Sequence, residues 1–391
     1  MNCDSILLEP EQANCDWAIR ESTRHPGPSS VSESSVPDWL DRGQIPGLDG
    51  FRAIAVILVL MCHCVNTRGF PQWPLLRTIA DHGKLGVDIF FVISGFLITT
   101  LLARELERRG RVNLKRFFVR RSLRIIPAYG ALLAVVAICQ YAGKLHLESR
   151  DWIAALTYTT NAIHNPSWDL GHTWSLAVEE HFYLLWPVAL FAGGLAGGWR
   201  MALGCIASCW CVRCFIALIL PRFVSAADAL YYASMSENWT ITRLDTISMG
   251  CLLALACRSD DWRRWLDRIT RPRLLVLYFA MICASLAVGK DSTKFHLCVS
   301  YTLNAACVAL LMWGMIRSEG VARRVFANPI LTTIGVGSYS IYLWQQMFIH
   351  PLQIGWIHRF PQNIVLAFAA ASLSYWIVER PLNRLKDRIA A

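Results

Sequence analysis

Two adjoining stretches decide the fold: LGVDIFFVISGFLITTLLA, which spans Leu85–Ala103, and RELERRGRVNLKRFFVRRSLR, which spans Arg104–Arg124. The first contains a single charged side chain and is close to the length of about 20 apolar residues that crosses a bilayer as a helix. The second contains nine Lys and Arg residues, and segments this basic are typical of cytoplasmic loops. Together they predict a membrane helix that ends in a cytoplasmic loop.

The composition of the 391-residue chain supports the same conclusion. Hydrophobic residues make up 54% and charged residues 17%, whereas a soluble domain usually carries about 25% charged residues. These values exclude a disordered or collagen-like chain. The 14 Cys residues are too dilute for a small disulfide scaffold, and the 16 Trp residues suit a protein with aromatic side chains at membrane interfaces.

The whole chain contains ten apolar segments that we predict to be membrane helices, which makes the fold class all-α integral membrane. Their approximate bounds are Ile45–Thr67, Leu85–Ala103, Ile125–Gly143, Thr173–Leu195, Met201–Leu220, Ile241–Cys257, Leu274–Gly289, Leu297–Ile316, Leu331–His350 and Ile364–Val378.

The Lys and Arg residues predict the orientation of these helices. Ten spans place both termini on one side, and that side would hold 26 of the basic residues against nine on the other. The excess predicts that both termini are cytoplasmic. Because the loops explain the net charge of +10, the expected partner is the lipid bilayer and not nucleic acid.

Three regions follow from this pattern. Residues 1–44 are polar and rich in Ser and Pro, lack the apolar core of a signal peptide, and are predicted to be a flexible cytoplasmic tail. Residues 45–385 form the membrane domain, and residues 386–391 form a short cytoplasmic tail.

The first span carries two ionisable residues on one face. Arg52 and His63 are eleven residues apart, which is 20° beyond three full turns and a rise of about 16 Å. Ionisable groups within a bilayer are costly and usually face the interior of the bundle. Arg52 is therefore expected near the cytoplasmic edge and His63 in the outer half. The alternative for Arg52 is a side chain that only extends to the membrane interface, and the alternative for His63 is a structural hydrogen bond to another helix.

Further acidic residues lie in the outer halves of three other spans. Glu179 and Glu180 are expected near the depth of His63, either as catalytic partners or in ion pairs with Arg213 or Arg243. Asp245 and Arg243 themselves are expected to take part in a structural ion pair, with substrate binding as the other interpretation. Asp88, near the outer end of the second span, is open to both interpretations.

On the cytoplasmic side, Arg120, Arg121 and Arg124 open the third span. Arg121 and Arg124 share one helical face, and their forked guanidinium groups suit phosphate oxygens. The alternative is that they only anchor the helix at the interface. Basic groups inside and His and carboxylate groups outside would suit an enzyme with an anionic cytoplasmic donor and an external acceptor.

Several motifs in order resemble the acyltransferase-3 family of integral membrane O-acyltransferases. The resemblance begins at IPGLDGFRAIAVILVLMCH and continues through GKLGVDIFFVISGFLIT, FFVRRSLRIIPAY, HTWSLAVEEHFYLLWP, RLDTISMG, GSYSIYLW and SYWIVERP. These motifs cover residues 45 to about 385. The resemblance implies a ten-helix membrane domain, with functional roles for Arg52 and His63 and for the arginine motif at Arg121 and Arg124.

The resemblance also implies a reaction. The donor would be acyl-CoA, most simply acetyl-CoA, used as a co-substrate with no permanently bound cofactor and no metal. The acceptor would be a hydroxyl of a cell-surface carbohydrate or glycolipid. The family often has His after the Tyr-Leu-Trp of its late motif, whereas this chain has Gln345. If that His binds the acceptor in the family, this protein binds a different acceptor or uses Gln345 or His350 for the contact.

The residues suggest a mechanism for such a transfer. His63, with an ordinary imidazole pKa of about 6.5, suits the general base that activates the hydroxyl, and Glu179 or Glu180 could orient it. Arg52, Arg120, Arg121 and Arg124 would hold the phosphates of CoA. Direct attack and an acyl-histidine intermediate both remain open.

Two other classes of protein fit parts of the pattern. A transporter also uses Arg, His and Glu inside the membrane as a relay, and a membrane scaffold could bury the same charges for structural reasons. Release of the CoA thiol from acyl-CoA would separate an enzyme from both. The acyl chain, the acceptor and the oligomeric state are left open by the sequence.

Overall fold

The computed structural model describes Ile45 and residues 47–382, so the predicted tails 1–44 and 386–391 lie outside the described residues. Within the described part, every regular element is helical. The helices that the text uses are α1 (Leu48–Cys64), α2 (Pro74–Asp81), α3 (Leu85–Arg109), α4 (Leu114–Tyr141), α5 (Ser149–Leu156), α6 (Trp168–Gly171), α7 (Trp174–Cys214), α8 (Ala226–Ser236), α9 (Thr240–Ala256), α10 (Asp260–Ile269), α11 (Pro272–Asp291), α12 (Tyr301–Arg317), α13 (Val321–Phe326), α14 (Pro329–Val336), α15 (Ser338–Trp344) and α16 (Gln362–Ser374).

Six helical segments of the described chain are long and apolar enough to cross a membrane. Their bounds are Leu85–Arg109, Leu114–Tyr141, Trp168–Arg222, Pro272–Asp291, Thr293–Arg317 and Gln362–Leu382. A seventh candidate arises if Ala226–Ala256 and α10, which meet at a bend of 119°, are taken together as one span. The all-helical membrane fold predicted from the sequence is therefore confirmed.

Several of the ten predicted spans do not appear as separate long helices in the described part of the chain. Two of them, Thr173–Leu195 and Met201–Leu220, fall within one long segment that is interrupted at Gly194, whose φ is 59°. The predicted span Leu331–His350 divides into α14, α15 and the 3₁₀ turn Gln345–Met347. Helix α1 has 17 residues, which is near the lower limit for a crossing.

Helices α3 and α9 cross in close contact. A methyl group added to Gly250 would overlap the carbonyl oxygen of Val92, and one added to Gly95 would overlap that of Ile247. Small residues let helix backbones approach in this way within a membrane. The crossing fixes α3 as one wall of the cavity described next.

Candidate functional site

A cavity of about 340 Å³ lies between α1, α3, α4, α7 and α15. Most of its wall is apolar, with Val87, Phe90 and Leu97 of α3 among the lining residues. Four guanidinium groups and one carboxylate also line it: Arg52, Arg104, Arg121, Arg124 and Glu179. We refer to this feature as the arginine cavity.

Helix α1 places Arg52 in the arginine cavity. The helix begins at Leu48, after Gly47 with its positive φ of 74°, so that Asp49 lies in the first turn and Arg52 one turn later. The guanidinium of Arg52 is 3.5 Å from the Asp49 carboxylate. Asp49 therefore neutralises part of the charge while Arg52 remains at the cavity wall.

Helix α4 places two further arginines there. Asn113 caps the helix by accepting a hydrogen bond of 2.9 Å from the backbone N–H of Arg116, and the regular turns that follow put Arg121 and Arg124 on the cavity face. Arg120, the neighbour that the sequence grouped with them, does not line the cavity. The structure thus brings together three of the four predicted donor-binding arginines.

Arg121 is held by an aromatic ring and by carboxylates. Its guanidinium carbon lies 3.2 Å from the centre of the Tyr183 ring, a cation–π contact. It is also 3.6 Å from a carboxylate oxygen of Glu179 and 3.9 Å from one of Glu180. The Tyr183 hydroxyl donates to Glu179 at 3.1 Å and accepts from Ser94. This network fixes the guanidinium plane at the cavity wall.

Arg124 differs from its neighbour because it forms no ion pair with a described residue. Its side chain is exposed and lines the arginine cavity, so it is open to a molecule that enters the cavity. A guanidinium without a paired carboxylate is free to bind the oxygens of an anion. Arg124 is therefore an anion-binding candidate in the arginine cavity.

His63 lies at the other end of α1 from Arg52, in a second group that we call the histidine site. Its Nδ1 is 3.0 Å from Oε1 of Gln345, and its ring meets Trp168 edge-on at 5.6 Å between centroids. Gln345 is fully buried. The structure thus joins two residues that the sequence separates by 282 positions.

The structure does not bring Glu179 or Glu180 into contact with His63 among the described contacts. His172, just before α7, lies close enough to His63 for their charges to interact, and Glu179 follows seven residues later, about 10 Å down the helix. That distance takes Glu179 to the arginine cavity. The expected shared depth of the two carboxylates and His63 has no supporting contact among the described residues, since it is His172, two residues before α7, that interacts with His63.

The other predicted polar residues form two buried ion pairs. Arg243 bonds to Asp88, and its guanidinium lies 4.3 Å from the centre of the Tyr301 ring. Arg213 bonds to Asp245 at 2.6 Å, and neither side chain is exposed. The sequence anticipated ion pairing at these residues but not this choice of partners. None of the four lines the arginine cavity.

Sequence reasoning missed several residues of the site. Tyr183 follows Glu179 by four positions, and that helical spacing was a signal available in the sequence. Glu379, which accepts a hydrogen bond from Ser340 and interacts electrostatically with Arg52 and Arg124, stands in the motif SYWIVERP. Arg104 of α3 also lines the cavity, and nothing in the sequence around it except its charge indicated this position.

The structure is that of a multi-pass membrane protein. One helix, α1, carries both an arginine of the internal cavity, Arg52, and the histidine of a second site, His63. The chain belongs to the family whose model is described as an acyltransferase domain, which matches residues 45–379.

Named relatives come from Staphylococcus aureus. A protein of strain COL with the printed name "Putative O-acetyltransferase SACOL0978" is 30% identical over 362 residues, which cover 87% of this chain and 57% of the relative. The O-acetyltransferase OatA of strain NCTC 8325 is 29% identical over 365 residues, with the same coverage. The chain thus spans little more than half the length of these relatives. No solved structure matches it.

Proposed function

We propose that this protein is an O-acyltransferase of a bacterial plasma membrane. It would move an acyl group, with acetyl as the first candidate, from cytoplasmic acyl-CoA to a hydroxyl of a cell-surface carbohydrate or glycolipid. The observation that carries the proposal is helix α1, which has Arg52 in the arginine cavity and His63 in the histidine site. One helix would thereby link donor binding to acyl transfer.

The arginine cavity suits an acyl-CoA donor. Guanidinium groups bind phosphate oxygens through paired, charge-assisted hydrogen bonds, and Arg124 has no competing ion pair among the described residues. The apolar remainder of the wall suits the acyl chain and the uncharged arm of the donor. A cavity of about 340 Å³ lies within the range of about 300–1,000 Å³ that is usual for ligand sites.

We propose a topology of ten spans with both termini cytoplasmic. The basic segment 104–124 ends α3 and begins α4, so the arginine cavity would open towards the cytoplasm. Helices α1 and α9 are short for a crossing, but most of their residues are buried in the bundle, so neighbouring helices would shield their ends from lipid. His63 would then lie in the outer half, next to the acceptor.

The chemistry needs one base and one leaving group. Nε2 of His63 would accept the proton of the acceptor hydroxyl as the hydroxyl oxygen attacks the acyl carbon of the thioester. When the tetrahedral intermediate collapses, the C–S bond breaks, the ester remains on the acceptor, and the proton passes from His63 to the CoA thiolate. CoA would leave by the cytoplasmic side, so no part of it crosses the membrane.

The test is release of free thiol from acetyl-CoA by the purified protein, with wild type compared with His63→Ala and His146→Ala. His146 is an exposed histidine and serves as the matched control. We expect His63→Ala to lose about 10²–10⁴-fold in rate while it still binds CoA, and His146→Ala to match wild type. Failure of the wild type both to bind CoA and to release thiol, with acceptor polysaccharide present, would refute the proposal and favour a transporter or scaffold.

A further inference from the structure

The contact between His63 and Gln345 determines where the proton of the imidazole lies. The amide of Gln345 has its Oε1 towards Nδ1 of His63 at 3.0 Å. Since an amide oxygen only accepts hydrogen bonds, Nδ1 is the donor in this orientation of the amide. A neutral imidazole with a proton on Nδ1 carries its lone pair on Nε2. The nitrogen that faces away from Gln345 is therefore the basic one.

We propose that Gln345 is a positioning residue that holds His63 in the Nδ1–H tautomer with Nε2 free to take the proton of the acceptor hydroxyl. The inference rests on the proposed function, in which His63 is the base. It assigns Gln345 a different task from the acceptor contact that its sequence position predicted. A neutral amide can orient the imidazole without placing a carboxylate charge in a buried site.

The packing of Gln345 supports a fixed orientation. The residue is fully buried and starts the 3₁₀ turn Gln345–Met347 directly after α15, so its side chain has little freedom. Its Nε2 has no hydrogen-bond partner among the described residues. His63 thus supplies the one side-chain hydrogen bond that the structure records for this amide.

The next residue repeats the arrangement and provides an internal comparison. Oε1 of Gln346 is 2.7 Å from Nδ1 of His172 and also accepts from the His172 backbone N–H at 3.2 Å. His172 is buried, with 3% exposure, whereas His63 is partly exposed. Two adjacent glutamines therefore each orient one imidazole, but only that of His63 is open to a substrate.

The experiment compares Gln345→Met, which removes the acceptor oxygen at similar length, with Gln345→Glu, which keeps an acceptor oxygen. Gln346→Met is the matched control at the neighbouring glutamine. Steady-state thiol release gives kcat and KM for each variant, and ¹⁵N spectra of histidine-labelled protein report the tautomer of His63, assigned by its loss in His63→Ala. The ring spectrum does not depend on turnover.

We expect Gln345→Met to lose about 10²-fold in kcat, at the lower end of the contribution of a general base, with an almost unchanged KM for the donor. We expect its His63 spectrum to become a mixture of tautomers, and Gln345→Glu to recover most of the rate. Gln346→Met should leave the His63 spectrum as it is in wild type.

Two results would overturn the inference: an Nε2–H tautomer of His63 in the wild type, or a folded Gln345→Met variant with wild-type kcat. A wild type that neither binds CoA nor releases thiol, with acceptor polysaccharide present, would instead refute the proposed function. The ¹⁵N spectrum of His63 would still test the role of Gln345 in that case. Failure of the proposed function can therefore be distinguished from failure of this inference.

Discussion

Arg52 and His63 lie on one unbroken helix, eleven residues apart, yet they belong to different sites. Arg52 lines the arginine cavity, and His63 is hydrogen-bonded to Gln345 at 3.0 Å. The helical rise separates them by about 16 Å along the axis. A substrate that reaches both must therefore extend along α1, as a long donor with an anionic end and a reactive end would do.

Replacing Arg121 or Arg124 with Ala should weaken donor binding. A hydrogen bond to a charged group contributes about 1.5–3 kcal/mol, so each variant should raise the KM for acyl-CoA by roughly 10- to 100-fold with a smaller change in kcat. Lys115, an exposed cation on the same helix, provides the control. Initial rates over a range of acetyl-CoA concentrations measure the effect.

The same series tests the arrangement of the three neighbouring arginines. Arg120 lies off the arginine cavity, so Arg120→Ala should change KM much less than Arg121→Ala or Arg124→Ala. Acetyl-dephospho-CoA, which lacks one phosphate, gives a further comparison. If an arginine binds that phosphate, replacing it with Ala should no longer raise the KM when this donor is used. Equal losses for all three variants, with reduced membrane insertion, would instead favour interfacial anchoring.

Replacing Glu179 with Gln should act on the donor and not on His63. The carboxylate is 3.6 Å from Arg121 and would compete with an incoming phosphate for that guanidinium. Without it, we expect the KM for acyl-CoA to fall by about fivefold, which corresponds to the roughly 1 kcal/mol of a typical hydrogen bond.

Glu180 offers the comparison for this prediction. Its carboxylate is farther from Arg121, at 3.9 Å, and does not line the arginine cavity, so Glu180→Gln should have a smaller effect on KM. A large loss of kcat at unchanged KM in Glu179→Gln would contradict the prediction. That result would support the catalytic role beside His63 that the sequence suggested for Glu179.

The ion pair between Arg213 and Asp245 should matter for stability. Both side chains are fully buried, and Arg213 also donates to the Leu297 carbonyl at 2.9 Å. Breaking such a pair leaves an uncompensated charge and costs about 3–5 kcal/mol, so Asp245→Asn should lower the unfolding temperature in detergent. The KM for any acceptor should not change in the protein that remains folded.

A surface pair calibrates this measurement. Arg264 and Asp261 are 66% and 86% exposed, so Asp261→Asn should cost about 0–1 kcal/mol. Should Asp245→Asn fold as stably as Asp261→Asn and raise the KM for the acceptor, the substrate-binding interpretation of Asp245 would replace the structural one.

Replacing Gly250 with Ala should loosen the crossing of α3 and α9. The new methyl group would overlap the Val92 carbonyl oxygen, and relief of such an overlap typically costs about 1–3 kcal/mol. Gly204→Ala is the control, because a methyl group there meets no atom within 4 Å and Ala favours a helix. The unfolding temperature should fall for Gly250→Ala and not for Gly204→Ala. A lower unfolding temperature for Gly204→Ala than for Gly250→Ala would refute the close crossing.

Local sequence patterns predicted most of the helices and part of the site. Apolar length identified the membrane segments, and helical spacing put Arg52 with His63 and Arg121 with Arg124. The same patterns could not predict that α15 follows a break at Gly337 or that Arg243 pairs with Asp88. Such features depend on which helices become neighbours, and a single helix does not encode its neighbours.

The sequence by itself determined an all-helical membrane protein, because apolar runs act locally and additively. The order of its motifs, and not its composition, indicated the acyltransferase family. Only the tertiary structure decided that Glu179 belongs to the arginine cavity and that Gln345 contacts His63. These contacts join residues from separate helices, so they depend on helix register and crossing. A shift of one turn, about 5.4 Å, would exchange such partners without changing any sequence motif.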